Sequence, residues 1–298
     1  MNFTLKNIIY LNIVFLFIFS CNINVGIIND NESLNSTISK YLENGSQAVL
    51  LVRLEDKNGN KIFQYAGKND DLVKDQIIDE NTWFRIWSMS KIVTISITMD
   101  LVEDGIISLD DPVSTYIPEF NNLKVAVTND GGSIIDYSRS DDKIRYANSG
   151  ELDIMGKYVP GYEPENKLFL GGEGMIATAD GYTDFIRMLL NHGELNGYRF
   201  LNESTVKEMY SPHTQLENEY GYNGYNLWVT SELVKEKGEG DKGLWRGGGY
   251  EGTHFWIDPK RDFVGVIMSQ MFETPKSGEG RDGKIVGEIY RQIFNNEK

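Results

Sequence analysis

Strand-like segments stand near both ends of this chain of 298 residues, and helix-like segments fill the region between them. Near the N-terminus, residues 47–54 and 61–66 flank an Asn-Gly step, a pattern typical of a β-hairpin. The C-terminal third predicts three more strands, at residues 225–231, 253–258 and 263–271. We therefore predict an α+β fold, in which one antiparallel sheet built from both chain ends is flanked by helices.

Three helices are predicted from apolar patterning and end signals. Residues 88–103 are apolar nearly all round, which predicts a buried helix that ends near Gly105. Thr178 is a suitable N-cap for a helix over residues 179–191, and a last helix is predicted over residues 284–294. The chain has no strand–helix–strand alternation and no internal repeat, which argues against a parallel sheet or a solenoid.

Charge and cysteine content exclude several functional classes. The 29 Lys and Arg residues against 44 Asp and Glu give a net charge of −15, so the chain lacks the positive field that a nucleic-acid binder needs. A single cysteine excludes a disulfide framework and a multi-cysteine metal site. The three histidines, His192, His213 and His254, do not have metal-ligand spacing. We therefore expect no metal and no cofactor.

The N-terminus predicts an export signal. Lys6 is the only charged residue in the segment 1–20, and it precedes an apolar run of twelve residues, 8–19, which is shorter than the roughly 18–20 needed to span a bilayer. The run ends at Cys21 in a sequence that looks like a bacterial lipoprotein box, which implies a lipid anchor on that cysteine. Ordinary secretion with Cys21 lost or free is the alternative. We predict a signal peptide over 1–20, a flexible tether over 21–39 and a folded domain over 40–298.

The tetrapeptide Ser88-Met89-Ser90-Lys91 carries the chemistry that the sequence suggests. Residues three apart on a helix share a face, with Cβ atoms about 5–6 Å apart. Ser88 would lie at the positive helix end, where amides can stabilise an oxyanion, and burial of Lys91 would favour a neutral amine that accepts the serine proton. The motif by itself is common, so its context decides its meaning.

That context resembles the serine β-lactamase and penicillin-binding-protein superfamily, most closely its class C branch, which includes D-stereospecific peptidases and carboxylesterases. The resemblance is carried, in the expected order, by residues 84–91 and 101–113, then 171–197, then 255–260, within a region that runs from about residue 36 to the C-terminus. The resemblance implies that Ser88 forms an acyl-enzyme. It also implies a helical subdomain, here at about 105–220, inserted between the two halves of the sheet.

A second motif of that superfamily, Tyr-x-Asn, is present as Tyr146-Ala147-Asn148. The resemblance implies that Tyr146 shares proton transfer with Lys91 and that Asn148 binds the amide of the substrate. A tyrosine in an ordinary loop is the alternative for this short pattern.

The third motif is less regular. Gly247 stands where relatives have Lys, His or Trp, and Gly249 takes the place of the motif glycine. These positions imply an edge strand that substrate approaches, with the Tyr250 amide as a second oxyanion donor. Arg246 is a candidate for binding a substrate carboxylate, and a bare glycine turn is the alternative.

Two intervals are shorter than in the superfamily: 54 residues separate Lys91 from Tyr146, and 22 separate Asn148 from Gly171. A reduced helical subdomain is therefore predicted. Two functions remain open. One is a serine hydrolase acting on a small ester, a D-amino-acid peptide amide or a β-lactam. The other is a catalytically impaired member that binds a ligand or senses peptidoglycan.

A glycine pattern at residues 172–177 also fits the dinucleotide signature Gly-x-Gly-x-x-Ala. It lacks a preceding strand and a βαβ frame, so a nucleotide site is not predicted. The expected partners are a small-molecule or peptide substrate, and a membrane through the lipid on Cys21. The sequence does not determine the oligomeric state.

Overall fold

An antiparallel sheet of eight strands forms the centre of the molecule. The computed structural model describes residues 31–121, 126–128, 134–137, 171–270 and 284–294. The strands of the sheet are β1 Val49–Asp56, β2 Lys61–Lys68, β9 Thr214–Gln215, β10 Tyr220–Asn223, β11 Trp228–Thr230, β12 Trp245–Gly248, β13 His254–Asp258 and β14 Phe263–Ser269. Their order is β2-β1-β14-β13-β12-β11-β10-β9. Because β1 pairs with β14, from Leu50 opposite Ser269 to Asp56 opposite Phe263, the predicted sheet built from both chain ends is confirmed.

Three short strand pairs and six helices complete the described elements. The pairs are β3 Phe84–Arg85 with β6 Ile176–Ala177, β4 Ala126–Thr128 with β5 Ile134–Tyr137, and β7 Glu194–Leu195 with β8 Tyr198–Arg199. The helices are α1 Asn31–Glu43, α2 Ser90–Glu103, α3 Ala179–Leu190, α4 Glu203–Met209, α5 Leu233–Glu236 and α6 Lys284–Phe294, and 3-10 turns span Trp87–Met89, Val113–Thr115 and Pro118–Phe120. The predicted cap of α3 is confirmed, since the Thr178 side chain accepts a hydrogen bond from the Gly181 amide.

The sheet has two covered faces, because successive side chains of a strand point to opposite sides. The front face carries Leu51, Phe255 and Val266, and it packs against α2 and α3. The back face carries Leu50, Trp256 and Ile267, and it packs against α1 and α6. Each face therefore has its own hydrophobic core.

Helix α1 corrects the predicted tether. Leu34 and Ile38 are fully buried in the back-face core, and the Ser33 hydroxyl donates a 3.0 Å hydrogen bond to Gln292 of α6. Residues 31–39 therefore belong to the folded domain, and the prediction of a flexible segment there is wrong. Cys21 and the predicted signal peptide lie outside the described residues. Within the described ranges, none of the helices has the length and apolar character that a membrane crossing requires.

The region predicted as a helical subdomain, about 105–220, contains few long elements in its described part. Its longest helix, α3, packs on the front face against β13 and β14, so it belongs to the layer that covers the sheet. The prediction that α2 is buried all round is also wrong. Ile92 and Met99 face the core, whereas Ile97 on the opposite side is 56% exposed.

Candidate active site

Ser88 and Lys91 are in direct contact at the start of α2. Ser88 lies in the 3-10 turn Trp87–Met89, and Lys91 lies in the first turn of the helix. Lys91 Nζ donates to Ser88 Oγ at 2.7 Å and to the Gly172 carbonyl oxygen at 2.9 Å. Both side chains are partly buried. The lysine amine is therefore held between the serine hydroxyl and a backbone acceptor.

The backbone immediately before Ser88 has an unusual conformation. Trp87 has a φ of +47°, in the left-handed region that a bulky residue rarely adopts. Its side chain is buried, and its ring meets the Tyr250 ring edge-on with 5.4 Å between centroids. The Met89 amide closes the turn on the Ile86 carbonyl at 3.0 Å. This packing holds the strained turn that presents Ser88 beside Lys91.

The neighbouring serine has a different role. Ser90 is fully buried, and its hydroxyl accepts a hydrogen bond from the Met175 amide at 3.2 Å. Ser88, by contrast, is partly exposed and contacts the lysine. The geometry therefore separates a structural serine from a serine that an external molecule can reach.

The glycine-rich segment 171–175 forms the other side of the site. Its Gly171 carbonyl accepts from Thr94 Oγ1 at 2.6 Å, and its Gly172 carbonyl accepts from Lys91. The Met175 carbonyl accepts from the Ile86 amide at 3.1 Å. Thr94 and Gly172 were missed by the sequence analysis. The adjacent glycines were the available signal, since paired glycines permit a close backbone approach.

The turn between β12 and β13 meets the segment before Ser88. A Cβ on Gly249 would lie 2.4 Å from the Ile86 carbonyl oxygen, so only glycine fits there without displacement. Thr253 Oγ1 also lies 3.4 Å from that oxygen. The predicted site residues Gly249 and Tyr250 are therefore brought next to the Ser88 turn. Gly247 lies further back on β12, against the Phe255 ring.

A buried ion pair links the same two segments, and the sequence analysis missed it. The Arg85 guanidinium donates to Glu251 Oε1 at 2.5 Å, and the Gln270 side chain bonds both the amide and the carbonyl of Arg85 at 3.1 and 3.0 Å. Burial raises the pKa of Glu251, an effect that Trp87 and Arg85 oppose. The pair connects the turn that carries Tyr250 to the residues that precede Ser88.

Arg246 corrects one sequence expectation. Its guanidinium lies 4.1 Å from the Tyr290 ring centroid on the back face and donates to the Glu239 carbonyl. Because neighbouring residues of β12 point to opposite faces, Arg246 is directed away from the Ser88 side of the sheet. The suggestion that it binds a substrate carboxylate in that site is wrong.

Two predicted site residues, Tyr146 and Asn148, lie outside the described residues, so their roles stay predictions. Of the histidines, His213 stacks on the Tyr225 ring at 4.2 Å and His254 belongs to the back face. Across the described ranges, no group of three or more His, Cys, Asp or Glu side chains has an arrangement that could hold a metal ion.

Comparisons with known proteins give a consistent result. The sequence profile of the family described as Beta-lactamase matches residues 34–132 and 136–286. Protein Rv1367c of Mycobacterium tuberculosis is 29% identical over 132 residues, which are 40% of this chain and 32% of that protein. The aligned region thus spans about a third of the length of the curated relatives it matches.

Solved structures share the fold at low sequence identity. Simvastatin synthase (LovD) from Aspergillus terreus superposes with a TM-score of 0.64 at 15% identity, over 88% of this chain and 96% of that one. EstCE1, a hydrolase with promiscuous acyltransferase activity, gives 0.62 at 14% identity over 88% and 97%. A class C β-lactamase gives 0.56 at 13% identity over 93% and 98%. Identities this low establish the fold alone.

Proposed function

Because the chain belongs to the β-lactamase family, we propose that it is a serine hydrolase in which Ser88 attacks a carbonyl group and forms an acyl-enzyme. The observation that carries this proposal is the contact of Lys91 Nζ with Ser88 Oγ at 2.7 Å and with the Gly172 carbonyl at 2.9 Å. A nucleophile and a base within hydrogen-bond reach, with the base oriented by a third group, is the arrangement that activated serines require.

Lys91 acts as the base in its neutral form. A neutral amine has one lone pair and two N–H groups. One N–H still donates to Gly172, while the bond to Ser88 reverses, so that the Ser88 hydroxyl donates to the lone pair. As the Ser88 oxygen bonds to the carbonyl carbon, its proton passes to Lys91. Lys91 and Tyr146 then deliver a proton to the leaving alcohol or amine. Water attacks the ester in the second step, the carboxylic acid leaves, and Ser88 regains its proton.

The amides of Ser88 and Tyr250 stabilise the oxyanion in this proposal. Gly249 against Ile86, the Trp87–Tyr250 ring contact and the Arg85–Glu251 pair support it, since all three join the Tyr250 turn to the Ser88 turn. The site needs donors that are fixed before reaction, because reorganising them during reaction would cost part of the stabilisation.

The substrate in this proposal is a small ester, a D-amino-acid peptide amide or a β-lactam. The names of the structural neighbours, which include a synthase, an acyltransferring hydrolase and a β-lactamase, support acyl transfer in general. They do not choose the acyl group. A panel of nitrophenyl acetate, a D-Ala-D-Ala peptide and a chromogenic cephalosporin ranks the three classes by kcat/KM.

Active-site labelling tests the chemistry. The purified chain is incubated with a fluorophosphonate or a labelled penicillin, and the adduct is mapped by mass spectrometry. We expect the label on Ser88 and not on Ser90. Ser88→Ala should lose the label and at least about 10³-fold in esterase kcat. Ser108→Ala, which changes an exposed serine outside the site, is the matched control.

Lys91→Met tests the base. Loss of a general base typically lowers the rate by about 10²–10⁴-fold. Lys235→Met, at an exposed lysine on α5, should retain full activity. A folded protein that takes up no label and shows no turnover would overturn the hydrolase proposal and favour a binding or peptidoglycan-sensing protein.

We also propose that the chain is exported and anchored by lipid on Cys21, as the first residues suggest. Nine residues, 22–30, separate that cysteine from the start of α1. At about 3.3–3.6 Å per residue the domain would stay within roughly 30 Å of the membrane surface. Globomycin-sensitive processing and loss of membrane fractionation in Cys21→Ala are expected. Unchanged fractionation of that variant would contradict the anchor.

A further inference from the structure

A cavity of about 340 Å³ lies on the back face of the sheet, between β11, β12 and the first turn of α6. Its size falls within the range of small-molecule sites. The side chains that matter here are Tyr220, Trp228, Arg246, His254 and Tyr290. The Ser88 site lies toward the front face, so this cavity is not part of it.

Arg246 is the unusual residue of the cavity. It is 5% exposed, and in the described part of the chain no carboxylate lies within 4 Å of its guanidinium. The guanidinium donates to the Glu239 carbonyl and stacks on Tyr290, while its buried Nε has no acceptor. Glu219 is close enough for Arg246 to contribute to lowering its pKa, but that carboxylate is bonded to Lys237. A buried charge without a bonded carboxylate of its own is costly, because the surroundings replace only part of its hydration.

The carboxylates near the cavity are already paired with other cations. Glu219 bonds Lys237 at 2.9 Å, and Glu239 bonds Arg291 at 2.9 Å. Each pair is neutral as a whole, so Arg246 contributes one positive charge in excess. Burial, with Arg246 nearby, lowers the pKa of His254 to about 4, so that imidazole is uncharged at neutral pH.

The remaining walls are aromatic. Trp228 and Tyr220 are in ring contact at 5.6 Å, and Trp228 is 37% exposed at the cavity. Val286 and Gly287 bring the first turn of α6 to the opposite side, where the helix dipole favours a negative group. A ligand that complements both the positive charge of Arg246 and the aromatic walls carries one negative charge and a flat apolar body.

We propose that this cavity binds a small monocarboxylate with an aromatic or apolar body, its carboxylate on Arg246 and its body against Trp228 and Tyr220. The site is independent of acyl transfer at Ser88. Gly247 and Gly248 of β12 also line the cavity, and the same strand leads to Tyr250. Strand β12 therefore contributes to both sites, to the cavity on the back face and to the candidate active site on the front face.

Binding of benzoate tests the proposal, with neutral benzamide as its isostere and inorganic phosphate as an anion without an apolar body. Calorimetry and thermal unfolding are carried out on the full chain and on Ser88→Ala. We expect benzoate to bind at least tenfold more tightly than benzamide or phosphate, to raise Tm, and to bind Ser88→Ala equally well. Retention in Ser88→Ala shows that binding needs no acyl-enzyme, and the Arg246 variants distinguish it from product binding on the Ser88 face.

Variants locate the ligand. Arg246→Gln should weaken benzoate binding at least tenfold, Arg246→Lys should recover part of it, and Trp228→Ala should weaken it several-fold. Arg199→Gln, at an exposed arginine elsewhere, should change nothing. The proposal is overturned if benzoate does not bind, if benzamide or phosphate binds as well, if Ser88→Ala abolishes binding, or if benzoate affinity survives both Arg246→Gln and Trp228→Ala.

Discussion

Buried arginines on the front and back faces of the sheet differ in whether they form salt bridges. On the front face, Arg53 and Arg187 share the carboxylate of Glu55, at 2.5 Å from Arg53 Nε and 3.0 Å from Arg187 Nη1. Each arginine also has a second carboxylate partner: Asp180 pairs with Arg53, and Asp184 pairs with Arg187. On the back face, Arg246 is equally buried, and its contacts among the described residues are a carbonyl and an aromatic ring, with no carboxylate in a salt bridge.

This difference distinguishes a buried charge that stabilises the fold from a buried charge that can bind a ligand. In the front cluster, carboxylates of the protein neutralise both arginines. Strand β1 places Arg53 and Glu55 on one face. Helix α3 presents Asp180, Asp184 and Arg187 toward them. Arg246 has no such salt bridge within the described residues, since the carboxylate of Glu219, whose pKa it helps to lower, is bonded to Lys237. A cavity lies beside Arg246 instead.

The largest effect is expected from Glu55→Gln. The change keeps the shape of the side chain but removes the carboxylate that two buried arginines share, and breaking such a pair costs about 3–5 kcal/mol. Urea unfolding of the variant should show this loss. Asp184→Asn, at a half-exposed partner of Arg187, is the control and should cost about 1 kcal/mol or less. A loss below about 1 kcal/mol in Glu55→Gln would show that the two faces do not differ.

Arg246→Met should behave in the opposite way. An apolar side chain of similar length removes an uncompensated buried charge, so without ligand the free energy of unfolding should be unchanged or raised by about 1 kcal/mol. Arg187→Met should instead be destabilised, since its two carboxylates lose a partner. Equal destabilisation of both variants, measured by the same urea unfolding, would mean that Arg246 is as well satisfied as Arg187.

The last prediction concerns the dependence of stability on pH. The pKa of His254 is about 4 in the folded protein and about 6.5 in a free side chain, so between these values the unfolded chain binds the proton first. Its contribution to stability is therefore complete above pH 6.5 and is lost as the pH falls toward 4. His254→Asn should flatten this part of the stability profile. Arg246→Met should raise the pKa of His254 in an NMR titration, and an unchanged value would contradict their coupling.

Much of the fold could be predicted because it depends on local pattern. The strands at both ends, the Thr178 cap and the span of α6 follow from alternation, capping and helical periodicity, and each agrees with the structure. Helix α1 was missed because its segment is rich in Asn and Ser, which favour loops. Its apolar residues Leu34, Ile38 and Tyr41 become decisive only when α6 and the sheet cover them.

The site was predictable only in part. The three-residue spacing of Ser88 and Lys91 already places them on one side of a helical turn. The Gly172 carbonyl, 81 residues from Lys91 in sequence, and the Arg85–Glu251 pair could not be foreseen, since no local pattern specifies which distant segments meet. The sequence also did not predict to which face of the sheet Arg246 points, because a shift of one residue in the register of a strand exchanges the two faces.

The sequence by itself determined the elements and the short-range chemistry: strands at both ends, a serine one turn from a lysine, and a glycine-rich turn after β12. These follow from backbone geometry over a few residues. Only the tertiary structure decided that a glycine carbonyl orients the lysine, that Glu55 neutralises two arginines and that Arg246 opens onto a cavity. Such contacts join residues far apart in the chain, and the packing of the whole sheet selects them.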